Sequence, residues 1–223
     1  MTLYDTVLDF VKECTREFDE SHDYNHAIVV YDNAKKIMDS FDIEYDYDIL
    51  MFSALLHDVR DHKYPKSISE KDLEAFVGKH LSNKVGIVMK IINNISFSKE
   101  QCGKRDEFTY PYILYLDAIS DSDRLQALGS VGIKRCEMFV EARGGDVPED
   151  VVRHCHEKLL RLLPEKFIKT EYGRKLAEPL HQEVLDYVNK NTGTNEVKSH
   201  CRKFAEPLHQ EILDYINGHT RKK

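Results

Sequence analysis

The chain lacks a run of 18 apolar residues, any C-x-x-C, any tryptophan and any excess of basic charge. Without an apolar window of that length no membrane span is expected. The opening MTLYDTVLDFVKE brings in acidic side chains at once and has no apolar leader core, so no signal peptide is expected. The five cysteines (Cys14, Cys102, Cys136, Cys155 and Cys201) are odd in number and scattered. That fits reduced thiols in a cytoplasmic protein rather than a disulfide framework. The net charge of −7 argues against a nucleic-acid polymer as partner, because such binders carry a basic patch or stripe. The missing tryptophan decides nothing.

What is present describes a globular chain. Its 223 residues suffice for one domain of ordinary size or somewhat more. Apolar residues at 41% supply a core, and charged residues at 32% are mixed in sign along the chain. Helical spacing dominates. Leu3, Val7, Phe10, Val11, Cys14 and Phe18 fall on one face at intervals of three and four, as do Val30, Ala34, Ile37, Met38 and Phe41. DILMFSALLHDV is apolar nearly all round and reads as a buried central helix. Ser69 before EKDLEAFVGKHL reads as an N-cap. NKVGIVMKIINNI, DSDRLQALGSVGIKRCEMFVEA and EDVVRHCHEKLLRLL add three helical segments, with a loop at Gly144-Gly145-Asp146 and Pro148. The expected fold class is all-α.

One repeat stands out. RKLAEPLHQEVLDYVNKNT (174–192) returns as RKFAEPLHQEILDYINGHT (202–220), identical at fourteen of nineteen positions. Both copies are amphipathic. Two copies do not make a solenoid. The segment reads either as a tandem duplication of a C-terminal helix or as a new packing or oligomer surface, which leaves a homodimer open. The domain expectation is 1–190 as the functional domain and 191–223 as the duplicated helix.

The chemistry sits in SHDYNH (21–26), ALLHDVRDHKY (54–64) and DAISDSDRL (117–125). His22 and His26 are four apart. His57 and Asp58 are adjacent at the end of an apolar run, where an ionised, unpaired Asp is costly. A divalent cation would hold it and would account for the buried histidine beside it. Imidazole with carboxylate suits Mn, Fe, Zn, Co or Ni better than Ca. One of Asp117, Asp121 and Asp123, carried on another helix, would close the site. His154-Cys155-His156 looks like a metal cluster, but i and i+2 side chains point apart on a helix, so no separate site is expected there. His80, His181 and His209 lie on polar helical stretches and read as surface residues.

These segments resemble the HD-domain metal-dependent phosphohydrolases, in particular the small stand-alone nucleotide (pyro)phosphohydrolase-like subgroup. His26, then His57-Asp58, then Asp123 match the H…HD…D signature. SHDYNH resembles the family's H-D-x-x-H, and LLHDVRDHKY its L-L-H-D-[IV]-x-D-H-K. LDAISDSDRLQALGSVGIKR resembles D-A-D-R-L-D-A-x-G-x-x-G-I-x-R, and HEKLLRLLP and TEYGRKLAEP resemble its C-terminal helices. The resemblance runs from about residue 3 to 190. It implies an all-helical bundle with His26, His57, Asp58 and Asp123 as ligands of one divalent metal, Mn²⁺ first, with Mg²⁺, Co²⁺, Ni²⁺, Fe²⁺ or Zn²⁺ as alternatives.

It further implies Asp121 as an outer carboxylate orienting the ligands, and Asp61 or His22 as a proton acceptor. Lys63, Arg124 and Lys158 are the expected phosphate contacts. The implied reaction is hydrolysis of nucleoside or deoxynucleoside triphosphates to monophosphate and pyrophosphate. Nucleoside monophosphate or alarmone hydrolysis, or a non-catalytic nucleotide-binding module, are the alternatives. One departure is visible: ISFS (95–98) has Ile95 where many relatives have histidine, so any histidine role there is absent.

Overall fold

Seven consecutive residues, Ile49 to Leu55, are buried, and this one segment organises the first half of the molecule. A helix with no polar face must be covered on every side. The structure, a computed structural model, describes residues 1–18, 23–61, 64 and 66–192. The expectations placed on His22, Lys63, His209 and the second copy of the repeat lie outside the described residues. The described residues contain ten α-helices, one 3₁₀ turn and no strand, so the all-α expectation holds. None of these helices is long and apolar enough to cross a membrane.

The chain forms two compact units, Met1–Asp123 and Arg124–Lys223. In the first, α1 (Leu3–Cys14) opens with a capping box, in which Thr2 and Asp5 satisfy each other's backbone N–H. α2 (Tyr24–Asp39) is capped by Asp23 and α3 (Tyr47–Leu55) by Asp46. α4 (Glu70–His80) begins at Ser69, whose hydroxyl accepts from the Asp72 N–H at 3.1 Å, the cap expected from the sequence. α5 (Val85–Ile92), α6 (Phe97–Gln101) and α7 (Tyr112–Leu125) complete the set. α3 is the hub, packed against α1, α2 and α5. The Phe10 and Phe76 rings stack at 3.7 Å between centroids and join α1 to α4.

In the second unit α8 (Gly129–Ala142), α9 (Glu149–Glu157) and the 3₁₀ turn Leu159–Arg161 cradle α10 (Glu171–Thr192). Their core is aliphatic, with Val151, Val152, Leu160, Ile168, Ala177 and Val184 all fully buried.

Two sequence expectations change here. DSDRLQALGSVGIKRCEMFVEA reads as one helix, but it is broken: α7 ends at Leu125 and α8 starts at Gly129. Gly129 takes φ +69°, a conformation natural to glycine, and its neighbour Gly132 passes so close to Ala127 that a Cβ would lie 2.1 Å from that carbonyl oxygen. His181 reads as a surface residue, yet it is buried, with Nε2 3.1 Å from the Leu160 carbonyl. The hydrogen bond satisfies the ring in an otherwise apolar seat, and burial lowers its pKa despite that bond.

Candidate metal centre

Asp23 does two things at once. Its carboxylate accepts from the backbone N–H groups of Asn25 (2.9 Å) and His26 (3.1 Å), so the residue that starts α2 also fixes its first turn. His26 stands in that turn and is buried. The aspartate of the H-D-x-x-H motif is therefore a helix cap that orients the second histidine.

His57 and Asp58 lie just past the C-terminus of α3. The His57 Nδ1 donates to the Ala54 carbonyl at 2.7 Å, because a carbonyl can only accept. That bond leaves Nε2 to face the cluster. Nε2 is buried and makes no hydrogen bond among the described residues, although an Asp58 carboxylate oxygen is 3.3 Å away. α7 contributes Asp123, whose Oδ1 lies 3.4 Å from His26 Nε2 and 3.9 Å from His57 Nε2. His26 Nε2 is 3.6 Å from Asp58. One nitrogen or oxygen from each of His26, His57, Asp58 and Asp123 lies within 4.8 Å of all the others.

The two imidazoles are buried, while the Asp58 and Asp123 side chains are 29% and 36% exposed. An ion can thus enter past the carboxylates and find the nitrogens behind them. Burial pushes His57 toward neutrality, but the nearby negative charges of Asp58, first, and Asp123 outweigh it and raise its pKa to about 9. Burial also pushes Asp58 upward, and the imidazolium of His57 more than reverses this, holding the carboxyl well below its usual range. Two nitrogens with two carboxylates form a donor set for a first-row divalent metal. The orphaned His57 Nε2 has the geometry of a ligand whose other nitrogen is fixed by a backbone carbonyl. The residues present fit such an ion.

Asp121, two positions before Asp123 on α7, is fully buried. Residues two apart on a helix point about 200° apart, so Asp123 joins the cluster and Asp121 does not. Asp61 follows three residues after Asp58, half-buried, with its N–H bonded to the Asp58 carbonyl at 3.1 Å. In the second unit Arg124 is buried, donates through Nη1 to the Phe167 carbonyl and lies 5.9 Å from the centre of the Phe167 ring. Lys158 ends α9 and is half-buried. Cys155 is buried on α9, flanked by half-buried His154 and His156.

Sequence reasoning missed what holds α7 in place. Arg105 Nη2 donates to Ser120 Oγ on α7 at 2.8 Å and to the Ile95 carbonyl at 3.0 Å, while its Nη1 pairs with Glu100 at 2.9 Å. Beside it Asn94 and Asp106 exchange two hydrogen bonds, at 2.8 and 2.9 Å. No spacing signal marks these residues, since the partners come from α6, α7, the turn after α5 and the loop that carries Arg105 and Asp106.

No family model matches the chain. It is similar to YpgQ, an uncharacterized protein of Bacillus subtilis strain 168, with 34% identity over 185 residues, spanning 77% of this chain and 84% of that protein. The crystal structure of B. subtilis YpgQ in complex with ADP superposes with a TM-score of 0.68 at 28% identity, covering 86% of this chain and 98% of that one. An HD-superfamily hydrolase from Bacillus thuringiensis shares the fold, with a TM-score of 0.63 at 22% identity over 85% of this chain and 94% of that chain.

Proposed function

The chain belongs to one family with YpgQ, within the HD-domain superfamily of metal-dependent phosphohydrolases, and from that premise we propose that it hydrolyses nucleoside or deoxynucleoside triphosphates to monophosphate and pyrophosphate. The observation that carries this reading is the convergence of His26, His57, Asp58 and Asp123 on one point. The nucleotide class is supported by the ADP in the YpgQ crystal structure, a nucleoside diphosphate bound to a relative.

We assign one divalent ion to the four side chains, Mn²⁺ before Mg²⁺, Co²⁺, Ni²⁺, Fe²⁺ or Zn²⁺. Such an ion supplies charge that polarises a phosphate and lowers the pKa of water at neutral pH. The chain's own residues supply the rest. The Ala54 carbonyl keeps the His57 ring turned toward the site, and Asp23 keeps His26 in place. Asp61, close in sequence to Asp58, is the candidate proton acceptor, with His22 as the other. Lys63, Arg124 and Lys158 are the candidate phosphate contacts. Asp121 is the candidate outer carboxylate that orients the ligands. The protein is assigned to the cytoplasm.

The test is a nucleotide panel with Mn²⁺, Mg²⁺, Co²⁺ and Ni²⁺, scoring phosphate and pyrophosphate separately, with Asp58→Ala alongside. Pyrophosphate from the wild type and none from the variant is the expected result. Phosphate alone, from monophosphates or alarmones, would move the substrate class. Metal and nucleotide binding without turnover of any substrate would make the protein a binding module.

A further inference from the structure

The seat of α10 is read through side chains that recur in the repeat. Glu183 accepts from the Ser130 N–H at 2.6 Å, Tyr187 donates to Glu137 at 2.9 Å, and His181 meets the Leu160 carbonyl at 3.1 Å. The second copy carries Glu211, Tyr215 and His209 at the same positions, and Ile212, Leu213 and Ile216 where the first has Val184, Leu185 and Val188. The first copy holds the seat because its start is built in. Thr170 Oγ1 accepts from the N–H of buried Gly173 at 3.0 Å. The second copy has Lys198 and Cys201 there, and Gly218 in place of Lys190 near the helix end. The sequence of 202–220 thus repeats the apolar pattern of α10 without the residues that start that helix.

α8 offers a matching face on its outer side. Val131, Met138 and Phe139 are 63%, 45% and 46% exposed, and Ala142 continues the line. At 100° per residue these four fall within one arc of about 100°, which also holds half-buried Arg135, whose Nη1 donates to the Gln126 carbonyl at 3.1 Å. Exposed Lys134 borders one edge, with Glu141 beside it, and exposed Arg143, which lies 3.8 Å from the Phe139 ring centre, borders the other. The apolar arc of 202–220 is bordered by Glu211 and Asp214 on one side and Glu206 on the other. Lys134 and Arg143 thus stand at the two edges of the exposed stripe, with Glu141 beside Lys134, and carboxylates stand at the edges of the apolar arc of 202–220.

The chain also leaves α10 at the right place. α10 and α8 run parallel: Gly129 and Ser130 meet Leu180 and Glu183, and Glu137 meets Tyr187. Thr192 thus ends alongside the C-terminal end of α8. Residues 193–201 are nine in number, with a reach of up to about 30 Å, against a helix diameter of about 10–12 Å. We propose that the outer stripe of α8 is the docking site of residues 202–220 of the same chain, lying as a helix with Phe204, Leu208 and Ile212 toward Met138 and Phe139.

Amide exchange on the full chain tests this, with three variants: Met138→Glu/Phe139→Glu, Leu208→Glu/Ile212→Glu, and the charge reversal Lys134→Glu/Arg143→Glu. The α8 side chains chosen are exposed, so the second unit's core is untouched. In the wild type, exchange across 202–220 should be slowed at least tenfold relative to the Leu208→Glu/Ile212→Glu variant. The Met138→Glu/Phe139→Glu change should abolish that slowing and the charge reversal should weaken it. Mass and exchange should not change with protein concentration. Unslowed exchange in the wild type would overturn the proposal, as would slowing that survives Met138→Glu/Phe139→Glu. Slowing that appears only as the protein dimerises would overturn it in favour of a second copy. Slowing of 202–220 matched by loss of protection in 174–192 would overturn it in favour of exchange of the two repeats in one seat.

Discussion

His26 and Asp123 are 97 positions apart in sequence, and they bring Nε2 and Oδ1 to 3.4 Å. Two buried nitrogens and two partly exposed carboxylates at such distances are a weak arrangement alone and a strong one around a cation. Asp123→Asn keeps the shape and removes one negative charge. It should raise the Mn²⁺ dissociation constant by about 100-fold or more, beyond the roughly 10–100-fold typical of losing an outer partner. Titration calorimetry beside a thermal melt of the metal-free protein separates this from unfolding. Unchanged affinity in a folded variant would remove Asp123 from the ligand set.

Proton and metal compete for His57 Nε2. With the His57 pKa raised to about 9, the metal-free site holds a proton at neutral pH. Binding Mn²⁺ between pH 6.5 and 9 should release about one proton and tighten by about tenfold per pH unit. Calorimetry in buffers of different ionisation enthalpy counts that proton, and His57→Gln should abolish the release. The same shift sets the stability of the metal-free protein. A pKa higher folded than unfolded favours the folded state fully below about pH 6.5, and this contribution is lost as pH climbs through about 9. Melting temperature in chelator should therefore fall across that window, and a flat profile would contradict the pairing of His57 with Asp58.

The helices were legible because each amphipathic stripe is written locally. The segment NKVGIVMKIINNI is helical over Val85–Ile92, as expected, and α3 is buried from Ile49 to Leu55, as the lack of a polar face there requires. The site segments were legible through motif likeness, and helical geometry separates Asp123 from Asp121 where sequence left both open. Other features depend on distant partners and leave no periodic trace. His181 sits in a polar-looking stretch and is buried because the Leu160 carbonyl, 21 residues away, needs a donor. The break at 126–128 depends on how closely Gly132 passes Ala127, which no propensity encodes. Asp23 could be read as part of a motif, but its capping of His26 appears only once the first turn of α2 exists.

Two glycines should respond in opposite directions. Gly132→Ala puts a Cβ 2.1 Å from the Ala127 carbonyl oxygen and 2.2 Å from its carbon, and backbone cannot yield as a side-chain tip does. The expected cost is about 3 kcal/mol or more, the severe end of overpacking. Gly86→Ala, exposed in α5 with nothing within 4 Å of the new methyl, should gain about 0.5–1 kcal/mol from helix propensity. Denaturant melts of the two variants measure both. Equal effects would mean that the close approach at Ala127 relaxes freely.

Arg105 gives a test of how the site is held rather than of what holds the ion. Its guanidinium ties Ser120 of α7 to the Ile95 carbonyl and faces Glu100, with both ion-pair side chains about nine-tenths covered. Ser120 stands three residues before Asp123, on an adjoining face of the same helix. Arg105→Met removes the tie and the cation opposite Glu100, a change that costs about 3–5 kcal/mol when a buried pair loses one member. Glu100→Leu added to it should recover part of that stability, because the stranded carboxylate is then gone. Neither change restores the hydrogen bond to Ser120. Mn²⁺ affinity should therefore stay about 10–100-fold weakened in the double variant, although all four candidate ligands are intact and the fold is partly rescued. Recovery of affinity together with stability would mean that α7 is positioned by its packing alone and that the Arg105 bond to Ser120 contributes nothing to the site.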